Sequence, residues 1–193
     1  MKKSSKATKL NRSAKILLYA SFFGHFAFGL LAPIYAIYVK NIGGSILDIG
    51  IAYAIFSIIT GLFILFFSKT RFFQKNIRKI IILGYFLMAF CYFLYIFITS
   101  PMQLFFVQII LGIGIGILEI AWDSIFSVSL SEEEAIKNWS LWSGSTNIVL
   151  GISAIVGSII IFYFSFTILF ILMVIFSIIS ALISFKLLGE KNK

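Results

Sequence analysis

The sequence predicts an all-α, polytopic membrane protein with six transmembrane helices. Three observations predict it. The 193 residues are 61% hydrophobic and only 12% charged, where a soluble domain carries about a quarter charged residues. The few charges are gathered into short clusters separated by long uncharged runs. The Lys and Arg residues fall, with one exception, on alternate connections between those runs. A mean hydropathy of +1.07 belongs to a chain that dissolves in hydrocarbon.

The elements follow in order. A basic arm, residues 1–14, carries Lys2, Lys3, Lys6, Lys9 and Arg12. The uncharged run after Lys15 gives a first span at about 15–39, since crossing a bilayer takes about 20 apolar residues. It is too long for a signal-peptide core and lacks a small-x-small cleavage site, so it is expected to remain as a helix. Gly43-Gly44-Ser45 precedes a second span at about 46–68. Asp48 is an acidic charge in its first turn, where the helix dipole favours one. The loop after it holds Lys69, Arg71, Lys75, Arg78 and Lys79.

The next uncharged run is long enough for two helices. Thr99-Ser100-Pro101 divides it into spans at about 79–99 and 102–127, because proline removes a donor and unsettles the residue before it. Ser131 then caps a short interfacial helix bearing Glu132-Glu133-Glu134. Trp139 and Trp142 read as anchors at the membrane boundary. The last long run breaks more weakly at Phe164-Ser165-Phe166 and gives spans at about 140–163 and 166–187. A tail, 188–193, ends the chain.

Lys and Arg resist translocation, so their placement sets orientation. Of the 16, Lys40 alone falls on the far side. Both termini are expected in the cytoplasm, with the chain in the cytoplasmic membrane. The net charge of +9 is thereby accounted for without nucleic acid. At most, the arm brushes anionic lipid. Cys91, the single cysteine, lies in the third span and excludes an intrachain disulfide.

Small and polar residues mark helix contacts in a bilayer. The fourth span carries Gln108, Gly112, Gly116, Glu119, Asp123 and Ser127 as one stripe. The fifth carries Ser140, Gly144, Asn147, Gly151, Ala154 and Ser158, with Gly157 beside them. The second carries Gly50, Ala54, Ser57 and Gly61, and the first Ser21, His25 and Gly29. Gly29, Gly61, Gly112, Gly116, Gly151 and Gly157 are therefore expected to pack helices. The third and sixth spans read as outer helices, and the other four as the interior.

An ionisable group inside a membrane is costly and by default marks a functional site. Glu119 and Asp123 share a helix face. By a rise of 1.5 Å per residue, Glu119 lies about 12 Å and His25 about 15 Å from the cytoplasmic surface. Such a pair can hold a proton or a cationic solute, since imidazole titrates near neutrality. His25, Glu119 and Asn147 are the candidates for substrate binding or proton coupling. A structural acid hydrogen-bonded to Ser143, and an asparagine that only joins helices, are the plainer readings. Asp123 is expected to pair with Arg71, Arg78 or Lys79 as a gate at the cytoplasmic mouth.

Enzyme chemistry is not expected. One histidine and one cysteine cannot build a catalytic zinc site. Ser153 has no neighbouring histidine to activate it. No cofactor or metal is implied.

Several local words carry a likeness. The first span reads FGLLAPIYAIYV, a basic loop SKTRFFQKNIRK joins the second and third, and the fourth reads QIILGIGIG. The fifth reads SAIVGS, after a SEEEAIKNWSLWSG connection. From about residue 14 to 187 the chain resembles one half of a major facilitator superfamily transporter, as in short bacterial members. The resemblance implies a half facilitator fold of two inverted three-helix repeats, with the first and fourth spans lining the cavity. Gln108 stands where the family commonly has arginine, and Ser153-Ala154 where antiporters have Gly-Pro. Antiport is therefore not implied. Members normally have twelve helices with substrate between two halves. The resemblance thus implies a secondary transporter of a small solute working by alternating access as a homodimer, or as a heterodimer with another half. A non-transporting interaction module and a passive channel are the alternatives.

Overall fold

The computed structural model describes residues 11–128 and 135–189. The basic arm up to residue 10, the segment with Ser131 to Glu134, and residues 190–193 lie outside the described residues. Six helical spans are each long and apolar enough to cross a membrane, and among the described residues there is no strand. A lipid environment forces this choice, because every backbone donor must be satisfied within its own segment.

The first span comprises α1 (Arg12–Leu31), a 3-10 turn (Ala32–Ile34) and α2 (Tyr35–Asn41). The interruption falls where Pro33 has no N–H to give to the preceding turn. α3 (Ile46–Phe67) opens with a capping box. Asp48 N–H donates to Ser45 Oγ (3.3 Å), and Ser45 N–H donates to the Asp48 carboxylate (2.7 Å). α4 (Arg71–Tyr95) bends at Asn76 (φ −112°, ψ 15°), within its basic first turns and before its apolar length. α5 (Pro101–Val128) begins at proline, whose missing N–H costs nothing there. α6 (Ala135–Tyr163) starts a turn before residue 140, and α7 (Phe166–Ser184) is capped by Ser165. A 3-10 turn (Phe185–Gly189) follows.

The helices pack in a series: α3 on α5, α5 on α4, α4 on α7, α7 on α1, and α1 on α6. By span number the order is second, fourth, third, sixth, first, fifth. Exchanging the first three spans for the last three gives the same series read backwards. Each triplet has an odd number of spans, so the second triplet enters the membrane from the opposite face. This is the packing pattern of two inverted three-helix repeats.

α3 and α6 stand at the two ends of the series. Among the six spans they are the least buried. The sequence places them in the interior and makes the third and sixth spans outer helices; the structure corrects that. α4 shows Leu83, Phe86, Phe90 and Phe93 outward, but it buries Ile81, Tyr85, Met88 and Tyr92 and packs against α5 and α7. Among the described residues the small-residue faces of α3 and α6 are largely exposed.

Glycine makes the close approaches. A Cβ at Gly112 would come within 2.8 Å of the Phe56 carbonyl, and one at Gly116 within 3.2 Å of the Thr60 carbonyl. Thr60 Oγ1 also donates to the Gly112 carbonyl, 3.1 Å away, which ties α3 to α5. At the other end of the series, Gly29 packs on Ser153 and Gly157 on the Leu30 carbonyl. Each end helix is thus held backbone to backbone.

Candidate functional site

A cavity of about 510 Å³ opens between α1 and α5, flanked by α3 and α6 and backed by α4. α1 supplies Gly24, His25 and Phe28, and α5 supplies Leu118, Glu119, Trp122 and Asp123. These helices touch only lightly, and the space between them is the cavity.

His25, Glu119 and Asp123, separated by most of a hundred residues, line this one cavity. The two acids are one helical turn apart and exposed onto it. Among the described residues neither acid makes a hydrogen bond or an ion pair, with Ser143 or with Arg71, Arg78 or Lys79. His25 Nδ1 lies 2.8 Å from the Ser21 carbonyl oxygen. A carbonyl only accepts, so Nδ1 carries a proton and Nε2 is the nitrogen left to exchange one.

Asn147 sits elsewhere. Its Nδ2 donates to the Ser143 carbonyl (2.8 Å) on the exposed face of α6. Its neighbours Thr146 and Leu150 line the cavity instead. Gly61 and Gly151 also meet nothing among the described residues, since a Cβ at either finds no atom within 4 Å.

The end of the cavity near the basic loop is crossed by aromatic rings. Trp122 of α5 and Trp142 of α6 have centroids 4.5 Å apart, tilted by 33°. Phe126 stacks on Trp122 at 4.4 Å, and Trp139 meets Phe126 edge-on at 5.0 Å. His25 stands edge-on to Trp142 at 6.2 Å. The indole N–H groups of Trp122 and Trp142 are buried and have no acceptor.

A second cavity of about 240 Å³ lies further along α1 and α5. Phe28 and Phe56 line both cavities, their rings 6.5 Å apart, and form the wall between them. Gln108 Nε2 donates to Tyr35 Oη at 2.6 Å in the second cavity. Gln108 Oε1 and Tyr92 Oη are buried there without partners.

Sequence reasoning missed the tryptophans as site residues. Their signal was present: Trp122 falls between the two acids, and Trp139 and Trp142 repeat at helical spacing. Tyr35 and Tyr92 carried no such signal.

The arrangement offers two unpaired acids and one exchangeable imidazole nitrogen within an aromatic-walled space open on one side. The family model described as Major Facilitator Superfamily matches residues 17–193. No curated protein matches the chain.

Proposed function

The chain belongs to the Major Facilitator Superfamily and is a multi-pass membrane transporter, and from that premise we propose a secondary transporter of a small solute. It works by alternating access as a pair of six-helix units, two copies of this chain or this chain with another half. It lies in the cytoplasmic membrane with both termini in the cytoplasm. The observation that carries the reading is the meeting of His25, Glu119 and Asp123 in one cavity of about 510 Å³.

Ionisable groups persist in a membrane interior where solute or proton must pass. Glu119 binds solute or proton, and His25 exchanges a proton through Nε2. Asp123 sits nearer the basic loop and closes the mouth by pairing with Arg71, Arg78 or Lys79 in another access state. The Phe28–Phe56 wall separates the two cavities in the state described here.

The pairing is supported by the open ends of the helix series. α6 exposes Ser140, Gly144, Asn147, Gly151 and Ser158, and α3 exposes Gly50, Ala54 and Ser57. Both helices also line the cavity, α3 through Phe56 and α6 through Trp142, Thr146 and Leu150. A second unit set against them encloses the acids around water and removes them from lipid.

Uptake into proteoliposomes under a pH gradient tests this, across labelled sugars, amino acids and organic cations. Wild type should show saturable uptake of some solute, and Glu119→Gln should abolish it. No saturable uptake, or equal uptake by the variant, removes the reading.

A further inference from the structure

We propose that the acid-lined cavity takes an organic cation that has an aromatic or alkyl body and carries a hydrogen-bond acceptor. This rests on the transport reading above and names the chemical class of its substrate.

Charge is the first argument. The protein has a net charge of +9, yet among the described residues no Lys or Arg lines this cavity. Lys15 opens onto a neighbouring cavity between α1 and α6, which shares only His25 and Thr146 with this one. His25 Nδ1 already gives its proton to the Ser21 carbonyl. With the His25 ring neutral, Glu119 and Asp123 have no countercharge among the described residues, in a place where ionised groups need one. Among the described residues the site offers no fixed positive charge to a carboxylate or phosphate ligand, and two acids to a cation.

The walls say which kind of cation. A hard metal ion wants six or more oxygen ligands in a cage, and no metal-binding group of acids, His and Cys is found among the described residues. The lining is instead aromatic: Phe28, Phe56, Tyr85, Trp122 and Trp142. Ring faces attract organic cations, tryptophan most strongly. A volume of about 510 Å³ lies in the range of small-molecule sites.

The third argument is independent of the acids. Trp122 is only 6% exposed, and its indole N–H has no acceptor; neither has that of Trp142. A buried donor left unpaired costs free energy that a partner would recover. Both indoles belong to residues that line the cavity, with the nitrogens themselves covered, so a ligand oxygen a few atoms from the cationic centre pairs with an N–H once the ring turns toward it.

All three tryptophans of the chain lie in this ring cluster, so intrinsic emission reports on the cavity. The full chain in lipid nanodiscs, without any gradient, is titrated with benzoylcholine, which carries a quaternary ammonium, an ester carbonyl and a phenyl ring. Its uncharged carbon isostere, 3,3-dimethylbutyl benzoate, and the benzoate anion are the comparisons.

Saturable quenching by benzoylcholine is expected, at least about 10-fold tighter than by the isostere, or about 1.4 kcal/mol. Benzoate should give no saturable change. Glu119→Gln and Asp123→Asn should each weaken binding by about 10-fold, and the double variant should show no saturable component. Equal affinity for the cation and its isostere, or binding of the anion, overturns the proposal. That comparison is made on the wild type and stands even if a variant fails to fold. Binding without uptake would uphold the ligand class and sink the transport reading; saturable uptake of another solute without cation binding would do the reverse.

Discussion

Gly157 of α6 lies against the carbonyl oxygen of Leu30 on α1, and a Cβ at position 157 would overlap that oxygen. The contact sits three residues before Pro33, where α1 gives way to a 3-10 turn. Backbone cannot swing aside as a side-chain tip can. Gly157→Ala should therefore lower stability by about 1–3 kcal/mol, and Gly157→Leu should yield little folded protein. Thermal denaturation in detergent measures the first; an unchanged midpoint for the alanine variant would contradict the geometry.

Gly151, under two turns earlier on the same helix, makes the opposite case. A Cβ there meets nothing, so Gly151→Leu should leave the six-helix fold intact, within about 0.5 kcal/mol. On the proposed pairing it should still break association, because a bulky side chain blocks close helix approach. Photobleaching steps of labelled protein in lipid should shift from mostly two to mostly one. Two-step molecules persisting in the variant would place the partner elsewhere.

These two glycines show how far the sequence could be read. The spans were legible because charge cannot enter hydrocarbon. The break at Pro101 was legible because it is a local act of backbone chemistry, and Asp48 was legible as a first-turn charge though not as half of a capping box with Ser45. Glu119 and Asp123 were legible as a pair because four residues make one turn. What was hidden was which element lies opposite. Periodicity places a residue on a face but does not say what that face meets, so Gly151 and Gly157 look alike in sequence. Trp139 and Trp142 read as interfacial anchors for the same reason, since nothing local reveals that Trp122 reaches across to them. The second and fifth spans read as interior from their small residues, yet in this chain those faces are uncovered.

The Tyr35–Gln108 bond joins residues far apart in sequence and makes a sharper thermodynamic prediction. Gln108 is only 4% exposed, its Nε2 bonded to Tyr35 and its Oε1 to nothing. Tyr35→Phe leaves both ends of a buried amide unpaired and should cost about 1–3 kcal/mol. Gln108→Leu removes the orphaned oxygen along with the bond and should cost less. The Tyr35→Phe/Gln108→Leu double variant should then be more stable than Tyr35→Phe alone. A double-mutant cycle by thermal or chemical denaturation checks the order, and strict additivity would show that the bond is unimportant.

The proposed orientation can be tested with the chain's single thiol left in place. Cys91 is fully buried within α4, so a membrane-impermeant maleimide should not label it in intact membranes. Lys69→Cys, in the exposed turn between α3 and α4, should then be the only reactive thiol in its variant. Asn41→Cys, exposed at the end of α2, should be the only one in its own. Lys and Arg hold their connections on the cytoplasmic side, so Asn41→Cys should label in whole cells and Lys69→Cys only after the membrane is opened. The reversed pattern would invert the protein, placing Asp123 and the tryptophan cluster at the outer mouth and making the Tyr35–Gln108 cavity the one nearer the cytoplasm.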